Sequence, residues 1–354
     1  MDPLDSVFET TRTARACPEG RTDGAVLRIR PGETVGRFLV LRCIGSGGMG
    51  QVYAAYDPRL DRRVALKVLH EGQNPGYDPR LIREAQALAR LSHPNVVAVF
   101  DVGVHDGRLF VAMEFVEGQT LRDWLRQHPL GRPGRLEVVH DLLLQAGEGL
   151  AAAHRAGLVH RDFKPSNVLI GDDGRVRVAD FGLVRVQGRE EPKSDAETMA
   201  GVVPFAAFEQ GTLTRPGSVV GTPAYMAPEQ FSSAQINPAC DQFGFCVTAW
   251  EALFGMRPFG GDTAPEMLDA MRRGRVEWPE GVAPGLGWVV ALRKGLAFDP
   301  SKRFHGMEAL LETLRSSRAD GAHEVRGRQR WIWLSVLLAA GLAIGAASFT
   351  LMIV

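Results

Sequence analysis

A switch in hydrophobic texture near Gly118 divides this chain into two unlike parts. Before it, FLVLRCIG, QVYAAYD and VALKVLH are short apolar runs split by turn residues, which predicts three strands in a row. LIREAQALARL follows with Leu81, Ala85, Leu88 and Leu91 on one helical face, and VVAVFDVG and RLFVAMEFV predict two more strands. After Gly118 the pattern turns helical. LRDWLRQH comes first, then VVHDLLLQAGEGLAAAHRAG with Gly157 as its C-cap, and helices dominate again from Cys240 to about Ser316. Strands first and helices after predict an α+β fold of two lobes, residues 37–117 and 118–315, rather than an alternating βαβ sheet. Residues 1–36 are aperiodic and read as a flexible leader.

The 354 residues hold 41 Lys+Arg against 41 Asp+Glu, so no bulk basic charge argues for nucleic-acid binding. The charges are unevenly placed. Residues 331–354 carry none, long enough as a helix to cross a bilayer core, with Trp331 and Trp333 at one end. Arg326, Arg328 and Arg330 lie in the linker 316–330 just before this stretch. An arginine-rich flank marks the cytoplasmic side, so a single-pass inner-membrane anchor with residues 1–330 in the cytoplasm is expected, and membrane lipid is a partner. The N-terminus shows no apolar signal segment. Cys17, Cys43, Cys240 and Cys246 lack CxxC or metal spacing and are expected as free thiols in a reducing compartment.

Between the first two strands lies Gly45-Ser46-Gly47-Gly48-Met49-Gly50, flanked by Ile44, Gln51 and Val52. Glycines there let backbone N–H groups approach phosphate oxygens. The pattern alone is weak, and an ordinary glycine-rich hairpin would share it. A dinucleotide fold needs a helix after the glycines, whereas QVYAAYD reads as a strand. In VALK, Ala65 and Lys67 share a strand face that would look toward a nucleotide. Glu84 sits among apolar helix positions and needs a partner; Lys67 is the expected one, a surface pair being the alternative.

His160-Arg161-Asp162-Phe163-Lys164-Pro165-Ser166-Asn167, followed by Asp180-Phe181-Gly182, is the strongest signal. NVLI, GDDG and RVRVAD read as strand, turn, strand, which places Asn167 and Asp180 at the open base of one hairpin. Their oxygens suit Mg²⁺, a hard cation that takes few protein ligands beside substrate phosphates. Asp162 is close enough to accept a hydroxyl proton, and Lys164 to neutralise a transferred phosphoryl group.

With these motifs the chain resembles the eukaryotic-like bacterial serine/threonine protein kinases over roughly residues 38–315. The resemblance extends to Gly221-Thr222-Pro223-Ala224-Tyr225-Met226-Ala227-Pro228-Glu229. It implies ATP with Mg²⁺ or Mn²⁺ as cofactors, transfer to Ser or Thr hydroxyls of protein substrates, and a nucleotide site over Ile44–Val52, Ala65 and Lys67. Met113 would lie beside the adenine, the backbones of Glu114 and Val116 would contact it, and Thr120 would lie near the ribose. It further implies that Lys67 pairs with Glu84, that Glu229 pairs with Arg303, and that Asp241 braces the catalytic loop. Lys164 and Thr222 argue for Ser/Thr over Tyr acceptors. Phe163 replaces the commoner Leu, an apolar exchange.

The segment 180–229 is long for such a kinase, and its middle reads as an insertion whose role as lid, docking site or disordered stretch stays open. Arg161 can pair with a phosphorylated loop residue; Thr212, Thr214 and Ser218 are candidates, Thr214 preferred. Gly341 and Gly345 make a GxxxG face that permits helix pairing, so a homodimer through this face or through the kinase lobe is a partner expectation. A pseudokinase would lack one of Lys67, Asp162, Asn167 or Asp180, and all four are present. A small-molecule phosphotransferase would share Asp162 and Asn167, but Lys164 and the Ala227-Pro228-Glu229 segment favour a protein acceptor.

Overall fold

Alternation of side chains along the first strands produces a sheet with two different faces. The computed structural model describes residues 29–47, 50–70, 79–181, 223–231, 236–277 and 286–317. Strands β1 (Thr34–Val35), β2 (Phe38–Gly47), β3 (Gly50–Asp57), β4 (Arg62–Leu69), β5 (Val99–His105) and β6 (Arg108–Glu114) form an antiparallel sheet in the order β1-β2-β3-β4-β6-β5. On β4, Val64, Leu66 and Val68 join Phe38, Val40 and Phe110 in a core on the outer face. Ala65 and Leu69 belong instead to the main core, and Lys67 shares their side of the strand. Period two therefore separates a lobe core from a face turned toward the second lobe.

Helix α1 (Pro79–Arg90) packs Ala85 and Leu88 into the main core. Beyond β6 comes a short strand, β7 (Gly118–Thr120), then α2 (Leu121–Gln127) and the long α3 (Arg135–Arg155). Thr120 caps α2: its hydroxyl accepts from Asp123 N–H at 3.1 Å and donates to the Asp123 carboxylate at 2.8 Å. The strands β8 (Val168–Gly171) and β9 (Val176–Val178) pair with each other and, through β8, with β7. Then follow α4 (Pro228–Phe231), α5 (Ala239–Phe254), α6 (Ala264–Arg273), α7 (Leu286–Gly295) and α8 at 307–317. Helix α5 is apolar nearly all round and runs through the centre, with Phe243, Phe245, Val247 and Trp250 fully buried. Each such side chain contributes about 1.5–3 kcal/mol by leaving water.

Three expectations change. The ordered lobe starts before residue 37: Ile29 and Val35 are buried, Ile29 N–H donates to the Tyr53 hydroxyl, and Gly32 N–H donates to Val40 C=O. Two apolar residues among prolines and glycines are too few to show a period, so the leader reading reached too far. Strand β7 was not expected, because three residues carry no alternation; its pairing with β8 creates it. Cys240 and Cys246 are buried free thiols, but Cys43 is disulfide-bonded. Cys43 lies half-buried against the outer core of the sheet, whereas Cys240 and Cys246 are closed inside the main core.

Candidate active site

The tip of the β2–β3 hairpin brings Ile44, Gly45, Ser46 and Gly47 over the cleft, opposite Gly50, Gln51 and Val52; Gly48 and Met49 lie outside the described residues. Gly50 has a steric reason to be glycine, since a Cβ there would lie 2.3 Å from the Val68 carbonyl oxygen. Val52 pairs in register with Lys67, which sets the lysine beneath the hairpin, with Ala65 further along the same face.

The loop after α3 carries Asp162, Lys164 and Asn167. Lys164 Nζ lies 2.7 Å from Asp162 Oδ2, and Asn167 Nδ2 donates to the Asp162 carbonyl at 2.9 Å. Ala179 N–H donates to Asn167 C=O at 2.9 Å, so Asn167 and Asp180 stand at the open end of the β8–β9 hairpin. Arg161 (φ 65°) and Asp180 (φ 60°) both hold left-handed backbone, which non-glycine residues adopt only where surroundings impose it. For Arg161 the cause is Asp241. Its buried carboxylate accepts from His160 N–H and Arg161 N–H, each at 2.7 Å, and pairs with His154 Nε2 at 2.8 Å. Burial works to raise the Asp241 pKa, but the His154 bond and charge hold it below the ordinary carboxylate value.

Glu229 and Arg303 make a buried two-pronged pair at 2.7 and 2.8 Å, and Arg303 also donates to the carbonyls of Ala297 and Ala239. Gln230 joins this anchor to the catalytic loop through Nε2–H to Arg161 C=O at 2.8 Å. Sequence reasoning passed over Gln230 and His154, because single polar residues on helices carry no pattern.

The cleft also holds the clearest departure from expectation. Lys67 Nζ pairs with Asp180 Oδ1 at 2.9 Å, while Glu84 Oε1 pairs with Arg161 Nη1 at 3.4 Å. The expected Lys67–Glu84 pair is therefore not formed among the described residues. Arg161 projects from its left-handed backbone toward α1, and its guanidinium reaches Glu84 where the Lys67 ammonium does not. Burial raises the Glu84 pKa, opposed by the Arg161 charge. Burial likewise favours neutral Asp180, but Lys67 first, with Lys164, holds its pKa low.

A basic group, a carboxylate and two metal-suited oxygens thus converge at the mouth between the lobes, beneath a glycine hairpin. A protein kinase domain family model matches residues 38–312. The chain belongs to the protein kinase family. It is 39% identical over 238 residues to serine/threonine-protein kinase PknA of Mycobacterium tuberculosis, covering 65% of this chain and 49% of PknA. To PknL of the same species it is 41% identical over 232 residues, covering 64% of this chain and 52% of PknL. The kinase thus spans about half the length of these curated relatives. The crystal structure of the M. tuberculosis PknI kinase domain superposes with a TM-score of 0.59 at 26% identity, covering 82% of this chain and 100% of that one. The two-lobed architecture, a strand-rich first lobe over a helical second, is that of this family.

Thr212, Thr214, Ser218 and Thr222 of the kinase lie outside the described residues, as do Gly341, Gly345 and the stretch 331–354. Among the described residues no helix is long and apolar enough to cross a membrane.

Proposed function

We propose that this kinase transfers the γ-phosphoryl group of ATP to Ser or Thr hydroxyls of proteins, itself among them. The observation that carries the reading is the cluster of Asp162, Lys164 and Asn167, held within hydrogen-bond distance of one another on a loop braced by Asp241. Asp162 accepts the proton of the attacking hydroxyl. Lys164, already beside that carboxylate, meets the charge on the phosphoryl group in flight. The acceptor type follows the names of the relatives and the Lys164 and Thr222 positions, and the ATP site is assigned to Ile44–Val52, Ala65, Lys67 and the backbones of Glu114 and Val116.

The residues fit Mg²⁺ or Mn²⁺. Asn167 spends its amide N–H on Asp162, which turns its carbonyl oxygen toward other uses, and Asp180 offers a partly exposed carboxylate held ionised by Lys67. A bound ion would neutralise phosphate charge between these two oxygens.

The ion pairs describe a resting arrangement. Lys67 occupies Asp180, and Arg161 occupies Glu84. A phosphate on the loop, at Thr214 first among Thr212, Thr214 and Ser218, competes for Arg161 and releases Glu84 to Lys67. Anchoring is part of the same reading: a bacterial inner-membrane protein, held by residues 331–354 with the kinase on the cytoplasmic side, in contact with lipid. Self-association would run through the Gly341/Gly345 face or through the kinase lobe. Its support is the charge-free stretch and the three arginines before it.

Asp162→Asn tests the chemistry. It should lower kcat by about 10²–10⁴-fold while ATP binding, measured by calorimetry, stays near wild type. Transfer at near wild-type rate would sink the assignment.

A further inference from the structure

Arg177 plays no part in the mechanism above, yet it is one of the few buried guanidinium groups among the described residues. It sits in the middle of β9, between Val176 and Val178, which are both fully buried in the main core. Period two sends the Arg177 side chain to the opposite face of the hairpin, toward the connection between the lobes. There Nε pairs with Glu114 Oε1 at 2.8 Å, while Nη1 and Nη2 take both oxygens of Asp173 at 3.1 and 2.8 Å. One planar fork thus joins two carboxylates from different lobes, a geometry an ammonium cannot reproduce. The chain makes room for it: a Cβ on Gly171 would lie 2.4 Å from Asp173 Oδ1 and 2.9 Å from Arg177 Nη1.

Glu114 ends β6, and residues 115–117 cross to the second lobe before β7 begins. The Glu114 N–H already donates to Ala98 C=O at 2.8 Å, so an adenine contact at Glu114 must use its carbonyl. The far end of the crossing is held too. Glu117 C=O accepts from Asp172 N–H at 2.8 Å, and the Glu117 carboxylate pairs with Arg63, whose guanidinium lies 5.4 Å from the centre of the Phe115 ring. Two arginines, one from each lobe, therefore grip the two ends of a three-residue crossing.

We propose that Arg177 is a positioning residue for the nucleotide. By clamping the Glu114 side chain it fixes the crossing strand on which adenine rests, and it ties that strand to the hairpin that ends in Asp180, three residues along. The base end and the phosphate end of ATP are then set in one register. This inference rests on the ATP-dependent reading of the site.

Steady-state kinetics on the full chain, with ATP and acceptor varied separately, separates this role from a structural one. Arg177→Met should raise the KM for ATP and the calorimetric Kd for ATP together, about fivefold, with kcat moved less than about twofold and the acceptor KM unchanged. Arg177→Lys, which restores the charge without the fork, should recover part of that rise. Glu114→Gln, which leaves Arg177 with Asp173, should reproduce most of it and serves as the test if Arg177→Met does not fold. Arg155→Gln, which breaks the exposed pair with Glu308, is the control and should leave ATP affinity alone. If Arg177→Met and Glu114→Gln lower thermal stability but leave the KM and Kd for ATP at wild-type values, Arg177 is a structural strut and the proposal is overturned. A wild-type protein that neither binds ATP nor transfers phosphate would instead defeat the functional reading beneath it.

Discussion

His160 shows how much one side chain can settle. Its Nε2 faces the Ala179 carbonyl at 2.9 Å, which can only accept, so Nε2 carries the proton. Its Nδ1 accepts from Asp162 N–H at 3.2 Å, so that nitrogen is bare and the ring is neutral. Burial lowers its pKa below the ordinary histidine value, against the pull of Asp241. The folded protein therefore resists a proton that the unfolded chain takes up as pH drops below about 6.5. Stability from this site is complete above that pH and falls below it, by about 1.4 kcal/mol per pH unit, until the folded pKa is reached. In an NMR titration the His160 ring should keep its neutral shifts as the pH falls below the ordinary histidine value. The Glu229–Arg303 pair is a second residue-scale case. Arg303→Met strips a buried carboxylate of its guanidinium and should cost about 3–5 kcal/mol in urea unfolding, with part regained in the double variant Arg303→Met/Glu229→Leu.

At the scale of elements, close approach decides several identities. Helix α3 crosses the hairpin closely enough that a Cβ on Gly149 would stand 2.3 Å from Asn95 C=O and 3.0 Å from Val178 Cγ2. The run GEGLAAAH, read only as helix, is small-sided because β9 crowds Gly149 and Leu311 crowds Gly147. Gly149→Val should push α3 off the strand and destabilise the fold by about 1–3 kcal/mol or more, seen as a lowered thermal midpoint. A shift in β9 would also displace Asp180, so kcat should fall with it. Strand β7 makes the same point: Gly118, at φ 145°, would place a Cβ 2.0 Å from Ile170 C=O, and no side-chain pattern announces that contact.

At the scale of the molecule, the two lobes meet through charges that have more than one partner to choose from. Lys67 with Asp180 and Glu84 with Arg161 leave the alternative pairing of Lys67 with Glu84 unused. Each pair is partly screened by water, so exchange among them is a modest rearrangement. Unphosphorylated kinase should then show a lag in phosphorylating an added acceptor, and prior incubation with ATP should remove it. A Thr214→Ala variant that retains the lag after such incubation would agree with Thr214 as the switch; linear progress curves from the start in untreated protein would count against a resting state of this kind.

Fold class, glycine hairpin and the grouping of residues at the cleft were legible in the chain because each depends on local order. Alternation makes strands, a 3.6-residue period makes helices, and the gaps between Asp162, Lys164, Asn167 and Asp180 reflect the reach of one loop and one hairpin. The residues that brace the site were less legible. Asp241 and the Glu229–Arg303 pair entered through family resemblance, whereas His154, Gln230 and Arg177 had no signal, since their partners lie on other elements. Tertiary structure alone chose the partner of Glu84, gave Cys43 a disulfide and placed Val35 in the sheet core. The physical reason is range. Periodicity and turn chemistry act over a few residues, while ion pairs and close contacts depend on where whole lobes come to rest.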